Sequence, residues 1–439
     1  MCEREFKYME DYLNQGTSIP LSKAFCHYPY GRCLYLRDYL DNNFIIVYVE
    51  DYVKKTDDNY TLLLDFFNVY DYLRFEEFLQ EEQTNSDENE PPSSTFIKVE
   101  NYISSDEPIK DTHYYLDLSV LKSRMIGREP GKKEGFPLLY EIILQQKQEN
   151  KNTSLMYLIG SLVYPQWVFR SFQTMVPFPS LSQKDLELII HDVWQGNFNE
   201  IKEGGSAKLI FDAGTELLDG TVHFLTILGK LQREIANGLP LFVLSHWHTD
   251  HYSLLFSLSN TELQQIQGCV FPAYVRSFSI FLFLFKLRIC GCNVSMINLP
   301  YSSPWVLHTQ NGSAMRLYAN KYVKSSTNNS GLTVFVKGAT NNVMFSGDCR
   351  YRLVESQTND AIRNPMMNGQ IHYLVVPHHC GLAGKESYHI TNAHKVEGIV
   401  SVGANNRHRH PNMTVLGKLN AFLTNIERTD MVGDVRKKL

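Results

Sequence analysis

The run LPLFVLSHWHTDHYSLLF, residues 239–256, sets three histidines and an aspartate directly behind a short apolar segment. A lone histidine usually satisfies a local hydrogen bond. A cluster is different: His246, His248, Asp250 and His251 share one short loop after a strand, where side chains of alternating direction can converge. Packing gives no reason to collect them there. Imidazole and carboxylate are zinc ligands, and a catalytic site keeps one position open for water. His246 and His248 lie on one side of an extended segment and suit one ion, while Asp250 and His251 turn to face a second.

Such a loop needs strands to hold it and partners to complete it. AKLIFDAGTELLDG reads as a strand ending at Asp212 and Gly214, and TVHFLTILGKLQREIANG as a helix closing on Gly238. NNSGLTVFVKGATNNVMFSGDCR is a hairpin whose second strand ends in Gly347 and Asp348. IHYLVVPHHCG ends in His378 and His379, and KVEGIVSVGANNRHRHP is a strand followed by His408 and His410. Strands and helices that alternate, with polar residues at strand ends, predict an α/β layered domain. Eleven of the 15 histidines lie after residue 240, which favours a metal site over isolated polar contacts. Asp348 is the natural bridge between two ions, and one of His378, His379 or His410 would complete the second ion's shell.

The composition bounds the rest. A chain of 439 residues with 43% hydrophobic and 20% charged residues is globular and long enough for two domains, or for one domain with an appendage. Net charge is −5, against a uniformly basic nucleic-acid coat but not against a local basic groove. Eight irregularly spaced cysteines suit reduced thiols, and the lone pair Cys290 and Cys292 reads as buried sulfur. The charged N-terminus lacks a signal-peptide core, and the longest apolar run, residues 278–285, is too short to span a bilayer. A cytoplasmic location is the expectation. Residues 76–96 are acidic and polar and predict a linker or loop. Before them, NFIIVYVEDY reads as a strand and YTLLLDFFNVYDYLRFEEFL as a helix. Residues 1–180 thus form an accessory region of mixed α and β character, suited to docking a protein partner or covering the edge of the site.

SHWHTDH carries the HxHxDH signature of the metallo-β-lactamase superfamily, and IFDAGT, FSGD and VVPHH fall in the order that family uses. Together with IIHDVWQGNFNEI, NNSGLTVFV and SVGANNRHRHP they resemble the β-lactamase-like domain of bacterial competence DNA-uptake proteins and their stand-alone relatives, over about residues 185–425. The resemblance implies an α/β fold, an αββα sandwich over 185–430, with two divalent ions, zinc or manganese, at one edge of its sheets. It also implies hydrolysis, in this branch of phosphodiesters in a nucleic acid or nucleotide. His246, His248, Asp250, His251 and Asp348 match ligand positions, and Asp212 matches the aspartate that orients the ligand loop without touching metal. His410 matches the late His-Pro, and His378 and His379 the paired histidines, with Cys380 where glycine is usual. The expected ligands are therefore His246, His248, Asp250, His251, Asp348, His378 and His410, with Asp250, His379 and His410 as catalytic groups. The choice among the last three histidines stays open. Many members supply a further histidine before the GD strand; here only His308 lies between His251 and Asp348, and its place suits a loop or surface histidine. The first ion would then have fewer ligands, which suits weak binding or manganese.

Under this reading two ions lower the pKa of a bridging water, the hydroxide attacks phosphorus, and whichever histidine is not a ligand protonates the leaving oxygen. Arg407 and Arg409 could hold a phosphate, although paired loop arginines are more often solvated surface; Asn405 and Asn406 read as turn residues. Two rivals remain: the same scaffold hydrolysing a lactone, thioester or other small ester, and a catalytically silent interaction or sensing subunit.

Overall fold

Leu209 and Phe211 pack into one apolar cluster and the intervening Ile210 into another, the two-residue period of a strand covered on both faces. Leu241 and Val243 alternate in the same way with Phe242. Val334 and Val336 share the first cluster while Phe335 faces a third. Two sheets therefore lie back to back, with further apolar layers outside each.

The computed structural model describes residues 44–66, 71, 75, 96–103, 108, 110, 113–117, 139–143, 179, 181–182, 184–217, 221–273, 278–297, 305–308, 315–320, 327–363, 371–382 and 395–439. A first sheet contains β1 (Phe44–Lys54), β2 (Asn59–Phe66), β3 (Phe96–Ile103), β4 (His113–Asp117) and β5 (Leu139–Ile143), in the order β4-β1-β2-β3-β5. The second sheet begins with β6 (Leu186–Ile190), β7 (Phe198–Glu203), β8 (Ser206–Ala213), β9 (Leu241–Val243), β10 (Gly268–Pro272) and β11 (Val294–Ile297). The third is built from β12 (Trp305–His308), β13 (Met315–Ala319), β14 (Leu332–Lys337), β15 (Asn342–Phe345), β16 (His372–Val375), β17 (Val396–Val400) and β18 (Asn425–Arg428), in sequence order. Finally β19 (Val435–Lys438) returns to the second sheet, pairing antiparallel with β6 to close the order β11-β10-β9-β8-β7-β6-β19.

Helices cover the outer faces. α1 (Thr221–Gly238) brings Phe224, Ile227, Leu228, Leu231 and Ile235 against the second sheet at helical spacing, and α2 (Thr249–Phe256) and α3 (Phe278–Ile289) join that layer. On the third sheet, Tyr351 and Val354 of α4 (Tyr351–Arg363) and Val415, Leu416 and Leu419 of α5 (Met413–Asn420) do the same. The result is the αββα sandwich implied by the resemblance. Among the described residues no helix is long and apolar enough to cross a membrane.

The first sheet rests on the α2–α3 side. Leu63 belongs to the outer core, Ser279 Oγ donates to Asp65 Oδ1 at 2.5 Å, and Tyr252 Oη donates to Glu50 Oε1 at 3.4 Å. One expectation is corrected here: the segment from Tyr60 begins as a strand, not a helix. Residues 60–66 are all buried, so this short run is covered on both faces, and an unbroken apolar stretch carries no period that separates strand from helix. The rest of that expected helix and the acidic loop before residue 96 lie almost wholly outside the described residues.

Candidate metal centre

β8 ends in Asp212, whose φ of 59° turns the chain out of the sheet and points the carboxylate under the loop after β9. It accepts from Ser245 N at 2.6 Å, from Ser245 Oγ at 2.8 Å and from His251 Nδ1 at 2.8 Å. Ser245 Oγ in turn lies 2.9 Å from His246 Nδ1. One buried carboxylate thereby fixes the Nδ1 side of two imidazoles and leaves both Nε2 atoms facing outward. Asp250 and His251 follow in the first turn of α2, where a carboxylate is favoured by the helix N-terminus. Gly214 makes the approach possible, since a Cβ there would lie 2.3 Å from the Asp250 carbonyl carbon.

The third sheet supplies the other half. β15 runs into Gly347, with φ of 52° and an added Cβ only 2.5 Å from Ser245 Cβ, so glycine is required where the two sheets' loops meet. Asp348 follows. β16 leads to Pro377 and then to His378, His379 and Cys380, all with φ between 51° and 62°. Three consecutive left-handed residues are strained for L side chains, and a glycine would adopt the φ of 62° at Cys380 more easily than the cysteine present. After β17, Asn406 clamps the late histidine by its backbone: Asn406 Nδ2 donates to His410 O at 2.5 Å and His410 N donates to Asn406 Oδ1 at 3.0 Å.

These ends converge. His246 Nε2 lies 3.0 Å from His248 Nδ1 and 3.8 Å from Asp348 Oδ2. Asp348 Oδ1 lies 3.3 Å from His251 Nε2 and 3.8 Å from His379 Nε2, while Asp250 Oδ2 is 3.5 Å from His379 Nε2. His246, His251 and Asp348 form one triad with ion-holding spacing, and Asp250, His251 and His379 a second. Asp250 Oδ1, His251 Nε2, Asp348 Oδ1 and His379 Nε2 are buried and make no hydrogen bond. Buried polar atoms left unpaired are costly, and four in one place fit a divalent cation, which accepts electron pairs from all of them.

The electrostatics agree. Burial would raise Asp250 and Asp348, but the charge on His251 outweighs it and holds both carboxyls well below the ordinary value. Burial would lower His251, but Asp348, Asp250 and Asp212 hold it well above. Asp250 and Asp348 therefore stay ionised, the form in which they bind a cation. Burial, with the neighbouring charge of His379 and His378, pushes His410 down to about 3, which leaves that ring neutral and able to donate an electron pair.

Every residue of the expected set lies at this end of the sandwich, and His308, expected as a loop or surface histidine, has its backbone opposite Arg316 in edge strand β12, three strands from β15. Two placements refine the open choice. His379 reaches both carboxylates through Nε2, whereas His378 donates through Nδ1 to Asp348 Oδ2 at 2.8 Å and has Asn328 3.1 Å from the same nitrogen. The His410 ring stacks 6.2 Å from that of His379. Arg407, expected more often as solvated surface, instead pairs with Asp51 and Glu216 and donates to Tyr52 O at 3.1 Å. Ser245, Asn328, Asn406 and Asp51 were not foreseen; the NNSG and ANN runs signal turns, but only the fold shows what those amides hold.

No family model matches the chain. A similar curated protein is Recombination protein 2 of Haemophilus influenzae, 24% identical over 267 residues, which is 60% of this chain and 30% of that protein. The chain therefore spans under a third of that relative's length. Similar solved structures include CmlA, a diiron β-hydroxylase from Streptomyces venezuelae, at 9% identity and TM-score 0.32 over 58% of this chain and 54% of that one. Another is described as a Zn-dependent hydrolase of the metallo-β-lactamase superfamily from Thermotoga maritima, at 10% identity and TM-score 0.24 over 55% of this chain and 98% of that one.

Proposed function

We propose that the protein is a metal-dependent phosphodiesterase. The observation that carries this reading is the convergence of four buried, unpaired donor atoms from two sheets on the floor of an open cavity. Divalent ions held there would supply Lewis acidity and a water acidic enough to deprotonate near neutral pH. His246, His248 and Asp348 would hold one ion, and Asp250, His251 and His379 the other, with Asp348 between them. Asp212 keeps His251 in the tautomer that presents Nε2. His410, beside His379 in the cavity wall, completes the shell or meets the leaving oxygen. The exposed Lys54, Lys55 and Arg409 around the cavity suit an anionic ester better than a neutral lactone, and the likeness to a protein named for recombination supports a nucleic-acid substrate.

The test is hydrolysis of bis(p-nitrophenyl) phosphate by the full chain with added zinc or manganese, beside an aliphatic lactone. Phosphodiester cleavage that disappears in EDTA and in Asp348→Ala supports the reading. Activity on the lactone alone, or on neither substrate with any metal, overturns it.

A further inference from the structure

The cavity above the carboxylates, about 940 Å³, is walled on one side by a piece of the first sheet. Residues 51–57, the end of β1 and its turn into β2, line it together with Lys110, facing the loop that carries Arg409 and His410. That wall is fixed in place. Arg407 grips the Asp51 carboxylate, the Tyr52 carbonyl and Glu216 at once, and the Tyr252–Glu50 and Ser279–Asp65 hydrogen bonds hold the same sheet to α2 and α3. A guanidinium this occupied anchors the wall and is not available to grip substrate.

The wall brings cations to the mouth. Lys54 and Lys55 are exposed at the turn, with the exposed Asp57 3.3 Å from Lys54 Nζ; Lys110 is taken up by Asp51 at 3.6 Å, and Arg409 is exposed in the facing loop. Below them Asp348 is 3% exposed and His379 2%, so a bond that reaches the donor atoms must descend past these charges. The volume matches the upper end of small-molecule sites, roughly 300–1,000 Å³, and is too small for a duplex. An unpaired strand fits, because a charged groove can track its backbone while one phosphate drops to the floor.

We infer that the β1–β2 turn is the substrate-binding wall of the metal centre, where Lys54 and Lys55, with Arg409 across from them, hold phosphates flanking the scissile bond of a single nucleic-acid strand. This rests on the phosphodiesterase reading and assigns the first sheet a direct part in choosing substrate. Single-strand binding loses about 0.7 in the slope of log K against log salt for each phosphate contact removed.

The test uses the full chain and a fluorescein-labelled single-stranded DNA 20-mer, by anisotropy in EDTA from 50 to 200 mM KCl. The variant Lys54→Ser/Lys55→Ser/Arg409→Ser should bind at least tenfold more weakly at 50 mM and lose about 2 from the slope, three contacts at about 0.7 each. Lys438→Ser, on edge strand β19, is the charge control; Lys55→Glu alone should reproduce the direction with less risk to folding. An unchanged slope, a loss no larger than the control's, or equally tight and equally sensitive binding of the duplex overturns the inference. Hydrolysis of the small diester with an unchanged slope sinks the wall alone. Lost strand binding in a chain that hydrolyses no diester sinks the phosphodiesterase reading and leaves the turn a strand-binding surface with no scissile bond beside it.

Discussion

His251 Nδ1 lies 2.8 Å from Asp212 Oδ2, and this contact aims the ring's other nitrogen at Asp348 Oδ1, 3.3 Å away. Asp212→Asn keeps the size of the side chain but swaps one acceptor oxygen for a donor, so Ser245 and His251 can no longer both be satisfied. Loss of such an orienting partner typically weakens metal binding about 10–100-fold. Competition against a chromophoric chelator measures it; an affinity within twofold of wild type would show that the ring needs no such support.

Metal loading should also stabilise the fold. An ion present at a hundred times its dissociation constant adds about 2.7 kcal/mol when the unfolded chain does not bind it. Thermal melts with zinc or manganese should therefore move upward and return to baseline with EDTA. In Asp348→Ala, which removes one of the clustered donors, most of that shift should vanish.

A separate contact predicts the pH profile of stability. His191 is buried with Nε2 3.1 Å from Glu200 Oε1 and Nδ1 3.2 Å from Asp434 Oδ2. Burial would lower the imidazole pKa, but the bonds to Asp434 and Glu200 raise it above 6.5; burial would raise Asp434, but His191 and the Asp192 amide hold it below 3.8. The histidine's contribution is full below 6.5 and is lost as pH rises through its raised value; the aspartate's is full above 3.8 and is lost as pH falls through its lowered value. Urea midpoints should peak between these limits, and His191→Gln should flatten the alkaline limb. A difference between the two proteins that grows above pH 8 would contradict this.

Asp51 and Arg407 join the first sheet to the loop of His410, so their substitutions should not add. A double-mutant cycle with Asp51→Ala and Arg407→Ala should give a coupling of about 1–3 kcal/mol, as for buried groups in direct contact. Denaturant unfolding reads it. Additive effects would mean that the contact does not hold the sheet.

The ligand loop was legible because its four side chains share one short segment behind an apolar strand, and the α/β layering because strands and helices alternate with turn signals between them; the αββα order came only from the resemblance carried by SHWHTDH, FSGD and VVPHH. The sorting of His378 from His379 was not, since it depends on three left-handed residues in a row, none of them glycine. Nor was the mistaken helix from Tyr60 avoidable by pattern, because a strand buried on both faces shows no polar beat. Arg407 illustrates a different limit: its partners lie about 190 and 355 residues away in the chain, and local composition says nothing about contacts at that range.

The donor atoms are divided between two sheets whose mutual contact is otherwise greasy, from Leu209 and Phe211 on one side to Val334 and Phe345 on the other. The attraction between such surfaces has no direction, so only the interlocking of their side chains sets how one layer sits on the other. Coordination bonds do have direction. An ion gripped by both layers at one rim would act as a pin through two stacked plates, permitting breathing at the far edge and opposing sliding at the near one.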